Sequence, residues 1–176
     1  MVAKTAQRID PKAELNKSEL NKTDPKKNGG PRKRDAVPVV DSGKLARNHV
    51  QGMADASVRW AGAFAVYGGH GTTQSSTIVY EIEPGGHLGW HTDATEETQY
   101  IIAGTGELSV GDGSTYQVGP GSVFVLPTDV RHDLSNTGKE TLRAVAFFAA
   151  AMFTQNFDEV MLPPKTHILG TPNRSG

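Results

Sequence analysis

The chain contains no cysteine among its 176 residues. This absence excludes disulfide bonds, thiolate metal ligands and thiol nucleophiles, and it leaves His, Asp and Glu as the expected metal-ligand types. The sequence also lacks any apolar run close to the roughly 18 residues of a membrane-spanning helix, and its N-terminus has no hydrophobic signal segment. We therefore expect a soluble, cytoplasmic protein that does not associate with a membrane.

A sustained helical period of apolar residues is missing from Val58 onward. The sequence consists there of short segments, such as residues 77–83, in which apolar and polar side chains alternate. Turns that contain glycine separate these segments, at residues 104–106, 111–113 and 119–121. Alternation interrupted by tight turns predicts an all-β fold, in which the strands form a double-stranded antiparallel barrel.

The formal net charge of −1 conceals an uneven distribution along the chain. Residues 1–34 hold ten Lys or Arg and four acidic residues, whereas the remainder holds eight and fifteen. The basic segment has few large apolar residues and is interrupted by Pro and Gly, so we predict that residues 1–36 form a disordered arm. Basic clusters attract polyanions, but no aromatic residues are interleaved here, and we do not expect nucleic-acid binding.

The composition divides the rest of the chain into three further segments. Residues 37–57 are predicted to form a short connection, within which residues 41–55 form either an amphipathic helix or an edge strand. Residues 58–155 are predicted to form the barrel. The last segment, 156–176, begins with residues that are too apolar to be exposed to solvent. We therefore expect this extension to cover the barrel or to form a homodimer interface.

Four side chains along the predicted barrel have the chemistry of a metal site. His91 and Asp93 lie two residues apart, so that a strand projects both of them from the same face. Glu97 begins the next predicted strand, and His132 comes from a second hairpin. Imidazoles combined with carboxylates suit a divalent first-row metal and include the two-His-one-carboxylate set of non-heme iron oxygenases.

The spacing of these residues resembles the two motifs of the cupin superfamily. The first motif runs, with five, one, three and six intervening residues, through Gly85, His91, Asp93, Glu97 and Gly104. The second runs, with five, one, two and three intervening residues, through Gly121, Pro127, Asp129, His132 and Asn136. The resemblance covers roughly residues 60–155 and implies a small single-domain cupin, whose fold is a double-stranded β-helix or jelly-roll-like barrel.

The chain departs from the family pattern at two positions. The family usually has Gly where this chain has Asp129, and it has a second His where this chain has Asp93. The resemblance therefore implies one of two ligand sets. Either Asp93 binds the metal together with His91, Glu97 and His132, or the last three form a facial triad without it and leave positions open for substrate and dioxygen.

Three further residues are candidates for contacts around such a site. Gln99 shares the predicted inner face with Glu97 and could contact the ligands or a substrate. His87, in the Gly-rich loop before His91, is either a solvated loop residue or a proton-transfer group. Arg131 could bind a carboxylate substrate if it turns inward, but a surface role is equally open.

The resemblance implies a metal-dependent enzyme, with His91, Glu97 and His132 as its catalytic residues. We expect Fe(II), with Mn, Zn or Ni as alternatives, and a dioxygenase that acts on a small organic acid or an aromatic substrate. The alternatives are a non-redox lyase, isomerase or cyclase, and a non-enzymatic binding or sensing protein. The His-x-Asp pair also resembles the 2-oxoglutarate oxygenases, for which Arg143 is the available co-substrate ligand.

Overall fold

The structure is a computed structural model that describes residues 7–8 by their backbone and residues 38–172 in full. It divides into two compact units, residues 1–46 and residues 47–176. In the first unit, strand β1 (Gln7–Arg8) pairs in parallel with β2 (Pro38–Val39), and a short 3-10 helix spans Ser42–Lys44. The rest of the predicted disordered arm, residues 1–36, lies outside the described residues.

The second unit consists of twelve strands and one further 3-10 helix, Gly68–His70. The strands are β3 (Asn48–Gly52), β4 (Arg59–Val66), β5 (Ser76–Ile82), β6 (His91–Asp93), β7 (Glu97–Ala103), β8 (Gly106–Val110), β9 (Thr115–Val118), β10 (Val123–Leu126), β11 (His132–Asn136), β12 (Leu142–Phe148), β13 (Thr154–Leu162) and β14 (Thr166–Gly170). No helix in the described part of the chain is long and apolar enough to cross a membrane.

These twelve strands form one curled sheet in the order β10, β7, β12, β5, β4, β3, β13, β6, β11, β8, β9, and β14 pairs with β13. Every pairing of named strands in this sheet is antiparallel. Its two end strands, β9 and β10, follow one another in the chain and are joined by a tight turn. The predicted all-β, cupin-like barrel is therefore confirmed.

Strict alternation in β7 and β12 separates the inside of the sheet from the outside. Ile101 and Leu142 are fully buried, whereas Tyr100 and Phe147, on the opposite face, are about half exposed. Each buried aliphatic or aromatic side chain contributes roughly 1.5–3 kcal/mol relative to its exposed state. Burial of one face therefore fixes the register of these strands and, with it, the side chains that enter the barrel interior.

The sheet extends beyond both ends of the predicted barrel, residues 58–155. β3 lies upstream of the predicted start and pairs with β4 and β13, so this region contains an internal strand of the chain's own sheet rather than the predicted amphipathic helix or swapped edge strand. Downstream, β13 lies between β3 and β6 rather than over the barrel end. Phe157 and Met161 explain this position, because both are buried in a second apolar cluster with Val50 and Val58.

Candidate metal centre

The pairing of β6 with β11 places two of the predicted ligands side by side. His91 and His132 are directly opposite in the register, and their ring centroids are 4.2 Å apart. The other face of the His91 ring stacks on Phe157 at 4.7 Å. Asp93 lies two residues further along β6, on the same face as His91. All three side chains are at most 1% exposed.

His91, Asp93 and His132 each offer a ligand atom, and these atoms all lie within 4.8 Å of one another. The Oδ2 atom of Asp93 is 3.5 Å from Nε2 of His132. Among the described residues, neither carboxylate oxygen of Asp93 has a hydrogen-bond partner, and Nε2 of His132 has none either. Buried polar atoms without partners are costly unless something binds them. Their convergence fits a divalent cation, so these three residues could hold a metal ion.

Backbone carbonyls fix how the two imidazoles face this point. Nδ1 of His91 lies 2.7 Å from the carbonyl oxygen of Gly89, and Nδ1 of His132 lies 2.9 Å from that of Val130. Because a carbonyl can only accept, both Nδ1 atoms carry the proton, and each Nε2 atom presents its lone pair when the ring is neutral. Such supporting contacts orient the ligands of metal sites in general.

Burial and mutual charge shift the pKa values of all three groups. Burial, with the neighbouring His132, lowers the pKa of His91 to about 3, so this imidazole is neutral. Burial, with the nearby Glu97 carboxylate, raises the pKa of Asp93 to about 7. Burial also acts to lower the pKa of His132, but the contacts with Glu97, Val130 and Asp93 outweigh it and raise that pKa. The cluster thus stores unfavourable electrostatics that a cation would relieve.

Glu97, the other predicted carboxylate ligand, lies beside this cluster but is not one of its three members. Its Oε2 atom is 3.6 Å from Nε2 of His132 and accepts a hydrogen bond of 2.9 Å from Nε2 of Gln99. The geometry therefore groups Asp93, rather than Glu97, with the two histidines. Ligation by Glu97 stays a prediction.

A buried relay, which the sequence did not reveal, supports Glu97. The Tyr80 hydroxyl donates a short hydrogen bond to Oε1 of Gln99. Burial and the charges of Glu97 and Asp93 raise the pKa of Tyr80 well above its usual value, so it stays a neutral donor. The donated bond fixes the Gln99 amide with its nitrogen toward Glu97. The only sequence signal for Tyr80 is its alternation with Ile78 and Ile82 on β5.

His87 and Asp133 form a second polar cluster behind the first. Nδ1 of His87 is 2.6 Å from Oδ2 of Asp133, and its Nε2 is 3.1 Å from the Ser57 hydroxyl. Asp133 Oδ1 accepts a 3.0 Å hydrogen bond from the Gly89 amide. Since the Gly89 carbonyl accepts the hydrogen bond from His91, Asp133 supports that imidazole through a single residue, Gly89. The sequence analysis missed Asp133 because it follows His132 directly, and strand alternation therefore places its side chain on the other face of β11.

The structure does not bring the two candidate arginines to the cluster. The Arg131 guanidinium lies 4.0 Å above the Trp90 ring, and its Nε atom is 2.9 Å from Oδ2 of Asp158. Arg143 is exposed on β12, between the buried residues Leu142 and Ala144. Both cations therefore point away from the barrel interior, and Arg143 cannot serve as an internal co-substrate ligand in this arrangement.

The remaining motif positions shape the backbone around the site. Asp129 has a φ of 62°, a left-handed conformation that explains why a glycine usually occupies this motif position. Its amide donates a 2.9 Å hydrogen bond to the Asp93 carbonyl. Gly104 has a φ of 76°, and a Cβ atom there would lie 2.6 Å from Cα of Leu142. Asn136 binds the Ile82 carbonyl at 2.7 Å, which connects β11 to β5.

Two buried imidazoles and a carboxylate inside an antiparallel barrel define this chain as a β-barrel protein with a candidate metal centre. Residues 78–148, which include all four predicted ligands, match the family model for the cupin domain. These residues therefore form a cupin domain. No curated protein sequence matches it.

Solved structures support the fold. The chain aligns with a predicted oxalate decarboxylase from Thermotoga maritima at a TM-score of 0.56 and 18% identity, over 64% of this chain and 98% of that one. It aligns with a protein from Acidithiobacillus ferrooxidans, described as a putative sugar phosphate isomerase, at a TM-score of 0.53 and 19% identity, over 73% of this chain and 86% of that one. It also aligns with Bacillus subtilis oxalate decarboxylase, which is described with Mn(II) centres, at a TM-score of 0.52 and 21% identity, over 61% of this chain and 30% of that one. The chain thus spans less than a third of the longer decarboxylase.

Proposed function

We propose that this protein is a metal-dependent cupin enzyme that holds one divalent ion through His91, Asp93 and His132. The observation that carries the proposal is the convergence of unpartnered, buried ligand atoms from two strands on one point. The donor set, two imidazole nitrogens with carboxylate oxygen, suits Fe(II), and the presence of Mn(II) in a cupin of similar fold makes Mn(II) the first alternative.

Within this proposal, dioxygenation of a small organic acid or an aromatic substrate is the reaction that the site supports best. A bound Fe(II) ion with vacant positions would let an organic substrate and dioxygen bind together. The protein residues contribute three things: neutral His91, the orientation of both imidazoles by backbone carbonyls, and burial of the ligand side chains away from bulk solvent. A space of about 20 Å³ touches His91 and Glu97, which is enough for one water-sized group.

A non-redox lyase, isomerase or cyclase has less support among the described residues, because such an enzyme needs a poised acid or base at the substrate. His87 is held by Asp133 and Ser57, and Glu96 is exposed. Tyr80 does line the small space, but its hydroxyl is bound to Gln99 and its pKa is raised. This reaction class would become the better assignment if turnover proceeded without oxygen.

Elemental analysis of the purified protein tests the proposal directly. We expect a stoichiometric divalent metal in the wild type, and its loss from His91→Ala and His132→Ala while the far-ultraviolet circular dichroism stays that of a β-protein. Metal retained at full occupancy by both variants would overturn the proposal. His167→Ala is a matched control, because this imidazole lies outside the cluster and binds the Phe157 carbonyl.

Two companion measurements separate the remaining assignments. Thermal unfolding with added Fe(II) or Mn(II) reports binding without any substrate, since an ion that binds only the folded state raises the unfolding temperature. A wild-type barrel that gains no stability from any of Fe, Mn, Zn or Ni would instead favour a non-enzymatic binding or sensing protein.

A further inference from the structure

The sheet opens on one side, close to the metal centre. β3 and β13 share only two register pairs, Gly52 with Met161 and Gln51 with Leu162. Toward its other end, β13 pairs with β6 and β14 instead. The two strands therefore diverge, and a cavity of about 460 Å³ is lined by residues of β3, β4, β13 and β14. This volume is within the usual range for a small-molecule site.

The cavity adjoins the candidate metal centre. Three residues, Trp60, Ile78 and Gln155, line both the large cavity and the small space that touches His91 and Glu97. Gln155 is also directly opposite Asp93 in the pairing of β13 with β6. A molecule in the large cavity would thus be separated from the cluster only by these three side chains.

The side chains that line the cavity disfavour a charged ligand. None of the described residues that line the cavity is Lys, Arg, Asp or Glu, and His49 is the only titratable one among them. Large apolar surfaces come from Trp60, Phe64 and Ile78, and polar groups from Asn48 and Gln155. An anion would lose its hydration here, and no lining side chain is a Lys or Arg that could pair with it, which is unfavourable, whereas an uncharged ring with one or two polar groups needs no such partner.

We infer that this cavity is the substrate chamber, and that it takes an uncharged, largely apolar molecule of the size of a substituted aromatic ring rather than a small carboxylate. The inference rests on the proposed function, because it identifies the substrate class of the same metal centre. Of the two substrate classes proposed for that centre, small organic acids and aromatic molecules, the inference selects the aromatic molecules. It also sets this chain apart from a decarboxylase of a small dianion such as oxalate.

The chain offers a built-in reporter for the test. It has two tryptophans, Trp60 in the cavity lining and Trp90 beneath Arg131. Trp90→Phe leaves Trp60 as the single tryptophan, whose emission can be excited selectively over that of the tyrosines. This variant is titrated with two nitroaromatic quenchers that share a ring and a nitro group, uncharged 4-nitroanisole and anionic 4-nitrobenzoate. We expect saturable quenching by 4-nitroanisole and affinity lower by about tenfold or more for 4-nitrobenzoate.

A pair of matched variants places the binding site. Ile168→Glu adds a carboxylate to the cavity lining at a position that is 53% exposed, so folding should tolerate it. Ile102→Glu makes the same change at a 46% exposed position on the outer face of β7. We expect 4-nitroanisole affinity to fall by about fivefold or more in the first variant and to stay unchanged in the second. Equal effects of the two variants would overturn the inference, as would equal or tighter binding of 4-nitrobenzoate.

The same titrations distinguish this inference from the proposed function. In the His132→Ala variant, which should lose the metal, 4-nitroanisole should still bind because His132 does not line the large cavity. Metal binding without preference for the uncharged probe would overturn the chamber assignment alone. Preference for the uncharged probe in a protein that binds no metal would overturn the proposed function, and the cavity would then be a binding site without a reactive centre.

Discussion

Two polar clusters lie on opposite faces of β11, and they differ in whether their atoms have partners. His132 points into the barrel toward Asp93, where three polar atoms have no hydrogen-bond partner among the described residues. Asp133, the next residue, points the other way, and both of its oxygens are bound, one to His87 and one to Gly89. Both clusters pair a His with a buried Asp, so residue type does not distinguish them. The unpartnered atoms belong to the proposed metal site, and the hydrogen-bonded ones to the cluster that we expect to support it.

Asp93→Asn should have the largest effect and should act in opposite directions on metal binding and on stability. We expect metal affinity to fall by more than about 100-fold, because the change removes a ligand rather than its support. In the metal-free protein at about pH 8, the free energy of unfolding should rise by about 1–2 kcal/mol, since a buried carboxylate without a partner is removed. Calorimetric metal titration and denaturant unfolding measure the two effects. A less stable variant that still binds metal would contradict the contrast.

Asp133→Asn should reverse the sign of the stability effect. The variant weakens the contacts to His87 and Gly89, so the free energy of unfolding should fall by about 1–3 kcal/mol. Metal affinity should fall by only about tenfold, because Asp133 acts on His91 indirectly, through the Gly89 backbone. The same two measurements apply. If Asp133→Asn were neutral in both, the second cluster would not be a support for the first.

The His87 contact should give the folded protein a pH dependence. The hydrogen bond with Asp133 raises the pKa of His87 above its ordinary 6.5, although burial opposes it. Its stabilising effect is therefore complete below pH 6.5 and is lost as the pH rises through the raised, folded-state pKa. The difference in unfolding free energy between wild type and His87→Gln should accordingly be larger at about pH 5.5 than at about pH 9. A constant difference would show that the contact does not depend on charge.

Substitutions of Asp129 should change the stability least. They test whether the backbone conformation at this position, rather than the Asp129 side chain, is what the fold requires beside the cluster. Its left-handed φ is available to glycine without strain, so Asp129→Gly should leave the free energy of unfolding within about 1 kcal/mol of wild type. Asp129→Val should lower it by about 1–2 kcal/mol, since β-branched residues resist this conformation. Thermal unfolding of both variants provides the comparison. A destabilised glycine variant would mean that the Asp129 carboxylate has a role of its own.

Much of the fold and part of the site could be predicted because they depend on local pattern. Alternation identified the strands around Glu97 and Gln99, and motif spacing indicated His91 and Asp93 on one strand and His132 on a second hairpin. The extent of the sheet was harder to predict. Phe157 and Met161 showed only that residues 156–176 are too apolar for water, and nothing local specified that β13 would pair with β3 and β6. The homodimer and the cytoplasmic location stay predictions.

The sequence by itself determined the cupin motifs, the antiparallel barrel and the types of metal ligand available, because strand alternation and motif spacing are properties of neighbouring residues. Only the tertiary structure showed which carboxylate lies within ligand distance of both imidazoles, what holds the two rings in place, and where a cavity adjoins them. Those features depend on contacts between strands that are distant in the chain, such as Gln155 opposite Asp93 and Gly89 beside Asp133. Burial then sets their chemistry, since it removes water from atoms that the sequence shows only as polar.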